Sequence, residues 1–318
     1  MVSNRRIRAM MQAWVWLAFA PATLGCGAEA IDADAIIRVT PGALSSGEYE
    51  SSPTFSQDGT EVYFFRADSG FGHYRLLASR CVDGRWTEPA PPSFAKPGVS
   101  EADPSLSADG RWLYYVSARA DPAGERLDIW RVRRNAEGAW GEPERLPEPV
   151  NSTKSQLLPR PQPDGRLLFG SSRSGGMGQG DIYLATPGAG GDWRVENVGP
   201  PVSTDANEYE AELSRDGNVL VTVANRGTTS HLYVYLRDGA TWRERGRIPA
   251  RTDVFQVGPL LSPDGRRLLF SQADTEERSG EWFLVDLEKG ADPHWPPRCG
   301  GDPKQVDQVT DPGPWFGD

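Results

Sequence analysis

The sequence predicts an all-β fold, a single propeller of five four-stranded blades with six as the alternative count, and three observations carry that reading. A hairpin pattern with Asp-Gly at its tip recurs at Asp58, Asp109, Asp164, Asp216 and Asp264, spaced 51, 55, 52 and 48 residues apart. A fixed turn at a period near fifty marks an array of supersecondary units, each too small to bury its apolar face alone. The composition agrees: 35 Gly and 27 Pro suit a chain of many turns, and 31 aromatic residues suit one with a large core.

The first 25 of the 318 residues stand apart. Arg5, Arg6 and Arg8 precede the short apolar run AMMQAWVWLAFAPA, the layout of a secretory signal that is too short and interrupted to span a bilayer stably. Thr23-Leu24-Gly25-Cys26 resembles the bacterial lipobox, with Thr23 where that motif usually has Leu. The resemblance implies lipidation at Cys26, an outer-membrane address because uncharged Gly27 follows, and a single-ended anchor. Ordinary cleavage near Ala28 or Ala30 is the alternative. Residues 26–34 read as a tether, 35–290 as the propeller and 291–318 as a C-terminal tail.

Within each repeat, Asp-Gly is expected to supply the positive φ angles of a two-residue hairpin turn. A third strand follows, at HYRLLASRCV from His73, DIWRVRR from Asp128, DIYLAT from Asp181, HLYVYLRD from His231 and EWFLVDL from Glu281. A second turn then leads to Trp86, Trp140, Trp193 and Trp242, each expected to open a fourth strand and pack between blades. Repeat five lacks that strand, because EKGADPHWPPRCGG is too rich in Gly and Pro to pair. The run AIIRVT, from Ala35 to Thr40, is a spare fourth strand. The two ends of the propeller are therefore expected to complete one blade together, which removes exposed sheet edges.

The hairpin consensus P-x-[FL]-S-x-D-G-x-x-[LV]-Y-F resembles the TolB-type, WD40-like propeller repeat of bacterial envelope proteins. Ser171 to Gly188, SSRSGGMGQGDIYLATPG, is similar to the form found in repeat proteins near the outer membrane. The resemblance covers residues 35–290 and implies the fold and an envelope setting. It implies no activity, because this fold hosts many unrelated roles.

Chemistry-bearing motifs are scarce. His73, His231 and His294 have no Cys or His at ligand spacing, so no metal is expected. No cofactor motif, nucleophile elbow or EF-hand loop is present. A formal charge of −10, or −13 once residues 1–25 are removed, argues against nucleic acid as a partner. One constellation repeats: Glu50, Glu101, Gln156, Glu208 and Gln256 each stand eight residues before a turn aspartate. They are expected to ring one mouth of the channel, with Asp103 and Glu210 two residues further on and Arg119, Arg173 and Arg226 as either counter-ions or solvated loop residues. Such a ring either satisfies backbone groups or forms an acidic rim for a cation, a basic peptide or a sugar.

The expected function is a non-catalytic binding or scaffolding module, monomeric, whose partner is an envelope protein or a glycan. The alternative is a glycoside hydrolase or lyase using channel carboxylates, which must flank the scissile bond about 5–10 Å apart. With Cys26 assigned to lipid, Cys81 and Cys299 remain in a chain addressed to an oxidising compartment. A disulfide across the seam of the ring is expected, with two unrelated thiols as the alternative.

Overall fold

The computed structural model describes residues 31–68, 70–250, 254–273 and 280–300. Cys26 and residues 301–318 lie outside them. After a 3-10 turn at Ala33–Ala35 comes β1 (Ile37–Arg38). Blade one follows as β2 (Tyr49–Phe55), β3 (Glu61–Ala67), β4 (Tyr74–Val82) and β5 (Arg85–Trp86). Blade two is β6 (Glu101–Leu106), β7 (Trp112–Ser117), β8 (Asp128–Arg133) and β9 (Glu144–Arg145). Blade three is β10 (Gln156–Pro161), β11 (Leu167–Ser171), β12 (Asp181–Pro187) and β13 (Trp193–Asn197). Blade four is β14 (Asn207–Leu213), β15 (Val219–Asn225), β16 (Ser230–Asp238) and β17 (Thr241–Arg247). Blade five has β18 (Gln256–Leu261), β19 (Arg267–Ala273) and β20 (Gly280–Asp286), and takes β1 as its outer strand. All five sheets are four-stranded and antiparallel, so the chain is a five-bladed propeller.

Closure uses only part of AIIRVT. Ile37 pairs with Leu284 and Arg38 with Phe283, and the Val39 amide donates to Trp282 O at 2.8 Å. The Asp-Gly tips also differ from the expected turn. In four blades the loop holds four residues, as in blade one, where the Ser56 amide donates to Glu61 O at 2.9 Å. Gly59 alone takes positive φ there, at 70°. Asp58 acts instead through its side chain, its Oδ1 accepting from Ser56 Oγ at 2.6 Å and the Thr60 amide at 3.1 Å. Asp109 repeats this with Ser107 Oγ and the Arg111 amide. These hydrogen bonds hold both carboxyls below their usual range.

Apolar residues of facing sheets fill the blade interfaces. Between blades one and two, Tyr63 and Leu76 meet Leu113, Tyr115 and Val132. Between three and four, Leu168 and Ile182 meet Ala211, Leu220 and Tyr235. The tryptophans after the second turns join such contacts. Trp140 of blade two lies edge-on to Tyr63 of blade one at 5.9 Å and donates its indole N–H to that hydroxyl at 3.0 Å. Trp242 packs into the three–four cluster, and Trp86 into the cluster between blades five and one. Trp193 packs on the large central cluster.

Cys81, at the end of β4, is joined to Cys299 by a disulfide with a Cα–Cα distance of 5.3 Å across 218 residues of chain. Residues 291–300 thereby form a strap over the seam between blades five and one. Trp295 of the strap is buried in the same cluster as Phe64, Leu77 and Trp282.

Candidate functional site

The innermost strands β2, β6, β10, β14 and β18 line the channel, and every one carries a register shift one or two residues after its Glu or Gln. In four blades the residue at the shift is left-handed: Ser52 at φ 49°, Asp103 at 54°, Leu158 at 43° and Gly258 at 63°. A proline follows each, at Pro53, Pro104, Pro159 and Pro259, and its missing N–H is tolerated at a bulge. Blade four has Ala211 there and no left-handed residue. Three of these positions hold a side chain where glycine is favoured, at a cost of about 1–2 kcal/mol each. At Gly258 a side chain has no room, since an added Cβ would stand 2.6 Å from Ser51 Oγ and 2.8 Å from the Ser52 amide.

The ring residues are buried, and each binds the segment that leads into its own blade. Glu50 accepts from Arg66 Nε at 2.7 Å and from Ser46 Oγ. Glu101 accepts from the Lys96 amide at 3.0 Å, Ser117 Oγ at 2.8 Å and Arg119 Nε at 3.0 Å. Gln156 donates to Ser152 Oγ and Lys154 O, at 2.7 and 2.6 Å. Glu208 takes the Thr204 hydroxyl at 2.6 Å and its amide at 3.0 Å. Gln256 donates to Pro249 O at 3.1 Å and to Gln272 Oε1 at 3.2 Å. No hydrogen bond or ion pair joins two ring members among the described residues. Of the three arginines, Arg119 meets a ring carboxylate. Arg173 donates to Pro149 O and Val150 O, and Arg226 to Glu244 and Tyr235. Burial raises the Glu50 pKa despite its partners.

One step deeper, the side chains cross between blades. Asp103 Oδ1 accepts from Ser52 Oγ of blade one at 3.0 Å, and its Oδ2 from the Leu158 amide of blade three at 2.9 Å. Glu210 Oε2 accepts from the Gly258 amide of blade five at 2.6 Å. Below them Arg160 of blade three pairs with Glu212 of blade four at 2.6 Å and donates to Pro259 O of blade five at 2.6 Å. Three buried carboxyls thus face one buried guanidinium. Burial, then the neighbouring Asp103 charge, pushes Glu210 well up, while Asp103, with two donors, is raised mainly by burial. Burial lifts Glu212 to about 7 against the pull of Arg160. Tyr49, Tyr74 and Tyr209 surround the pair, their phenols pushed up by burial and by these carboxyls. Tyr49 in turn lies 5.0 Å from Phe71 and stacks on Phe255 at 5.1 Å.

Glu212, Arg160 and Ser52 were not anticipated from the sequence. The repeated X-Pro step marks the depth at which the cross-blade bonds form, and is the signal that locates them. His73 and His231 remain apart, and among the described residues no cluster of His, Cys, Asp or Glu could hold a metal ion.

Two cavities open nearby. A small one of about 230 Å³ lies at the turn-side end of the channel, lined by Arg160, Glu212, Thr54, Ser105 and the strap residue Trp295. A larger one of about 630 Å³ lies at the seam, between β5, the segment after β1 and the strap. Asp103 and Glu210 line neither.

No protein-family model and no curated protein matches the chain. Solved structures do. TolB from Acinetobacter baumannii aligns at 18% identity and a TM-score of 0.51, over 77% of this chain and 56% of that one. The chain thus spans little more than half of that protein's length. Zg3597, a family 117 glycoside hydrolase produced by the marine bacterium Zobellia galactanivorans, aligns at 13% identity and a TM-score of 0.53, over 81% of this chain and 91% of that one. At such identities the likeness is one of fold, and it reaches a TolB protein and a glycoside hydrolase alike. The chain has a TolB-like propeller fold in a five-bladed form.

Proposed function

We propose that the protein is a non-catalytic binding or scaffolding module of the bacterial envelope, whose partner is a protein or a glycan. One observation supports this above the rest: Asp103 and Glu210 act as acceptors between blades. They are at most 7% exposed and line neither of the two cavities, where Glu212 stands without a second carboxyl among the described residues, whereas hydrolysis of a glycoside needs two carboxyls that reach the substrate. The signal-like start and lipobox-like Cys26 support export and a lipid anchor. Mass spectrometry of the mature N-terminus tests the anchor, with a lipidated Cys26 expected and an unmodified start at Gly27 or beyond opposing it.

A glycan hydrolysis and lyase screen, run beside Glu101→Gln and Glu210→Gln, tests the class. No turnover is expected, together with retention of a partner on the immobilised propeller from envelope extract. Turnover that either variant abolishes without loss of folding would replace this reading with the hydrolase one.

A further inference from the structure

The seam cavity differs in charge from the rest of the molecule. In a chain of formal charge −10, its lining holds Arg38, Arg85 and Arg298, and no Asp or Glu among the described residues. Arg38 is balanced from behind by Glu281 at 2.6 Å. Arg85 is exposed and has no ion pair among the described residues. Aromatic faces supply the remaining walls. Trp86 is half-buried, Phe55 meets Trp282 at 6.3 Å, and Trp282 is 1% exposed with no partner for its indole N–H among the described residues. The strap forms one side, and the Cys81–Cys299 disulfide fixes it beside Trp86, which pairs with Cys81 in the β4–β5 ladder. A volume of about 630 Å³ falls in the range of small-molecule sites.

We propose that this cavity binds a small aromatic anion, a flat ring system carrying a carboxylate or sulfonate. The Trp86 and Phe55 faces take the ring, and the Arg85 guanidinium takes the acid, for which its geometry is suited. The absence of carboxylates from the lining, among the described residues, disfavours a cation. The site is independent of whether the propeller binds a macromolecule, since it lies at the outer seam and not in the channel.

The probe is 8-anilinonaphthalene-1-sulfonate, titrated by fluorescence against the full chain, with uncharged N-phenyl-1-naphthylamine as its control. One saturable site is expected, with the neutral dye at least tenfold weaker. Arg85→Glu should weaken the anion at least tenfold, and Trp86→Ala should do the same. Arg194→Glu, a charge reversal on the exposed edge of blade three, should change it less than twofold. Arg85 is exposed, so its variant keeps the test valid even if Trp86→Ala fails to fold. Equal binding of the two dyes, non-saturating binding, or indifference to Arg85→Glu would overturn the assignment. So would a tenfold gain in dye affinity for Trp315→Ala/Phe316→Ala. That gain would give the cavity to the segment 301–318, which carries four Asp against one Lys.

Discussion

Four of the five blade interfaces are held near the axis by a buried carboxyl, and the fifth is not. Asp103 ties blade two to blades one and three, Glu212 through Arg160 ties four to three, and Glu210 ties four to five. Between blades five and one no such bond exists among the described residues. There Gly258 packs directly against Ser51 and Ser52, Trp282 lies edge-on to Phe64 at 5.4 Å, β1 completes the sheet, and a disulfide pins the strap. Interfaces between consecutive blades share a continuous chain, which keeps their partners near one another before the ring closes. The seam joins residues more than two hundred positions apart, so its closure costs the most chain entropy. A covalent bond stands where that cost is greatest.

The largest test of this contrast is removal of the disulfide. Cys299→Ser should lower stability by about 4–5 kcal/mol, because the cross-link closes a very long loop. Urea unfolding of the oxidised protein and the variant measures it. A loss below about 1 kcal/mol would show that packing alone holds the seam. Asp103→Ala follows, at about 3 kcal/mol, because it strands the Ser52 hydroxyl and the buried Leu158 amide together and puts alanine at positive φ. A change under about 1 kcal/mol would remove the axial bonds from the account.

Glu212 adds a pH dependence. Its folded pKa of about 7 lies above its ordinary value of 4.5, so the folded state holds a proton that the unfolded chain releases. That contribution is complete below about pH 4.5 and is lost as pH rises through about 7, at most about 3 kcal/mol in all. Glu212→Gln should therefore gain stability relative to the parent between pH 5 and pH 8. A difference that stays flat across that range would place Glu212 in an ordinary environment. The smallest effects belong to the ring. Glu208→Gln keeps an acceptor for Thr204 and should change stability by less than about 0.5 kcal/mol. Glu101→Gln leaves Arg119 buried beside a neutral partner and should cost about 1–2 kcal/mol. Thermal melts of the two variants compare them directly.

The architecture was legible because the Asp-Gly tips keep one phase through five repeats, and because the chain ends on three strands after starting with one. The conformation of those tips was not. Asp-Gly suggests two positive φ angles, but the Ser two residues before Asp lets the carboxylate cap a longer loop, and only Gly needs the left-handed region. The ring of Glu and Gln was found by spacing, but spacing does not tell which way a buried side chain turns. It turns to the entering segment because Ser46, Lys96, Ser152, Thr204 and Pro249 present hydroxyls, amides or carbonyls there. Arg160 and Glu212 stayed hidden because nothing repeats at their position: Thr54, Ser105, Arg160, Glu212 and Leu260 share a place in the strand and little chemistry. Their pairing follows from radial geometry, which a linear pattern does not contain.

The disulfide also decides how the molecule bears mechanical load. Tension applied between residue 31 and residue 300 first meets the two-residue pairing of β1 with β20, which is short enough to peel. Beyond it the force runs along the chain to Cys81, crosses the sulfur bridge to Cys299 and leaves. Blades two to four and most of blade five lie outside that path. Fully drawn out, the loaded stretch reaches about 170 Å, against about 900 Å if residues 31–300 were all extended. Traction between these residues therefore strips β1 from blade five, unravels blade one at most and leaves the remaining strands unstretched.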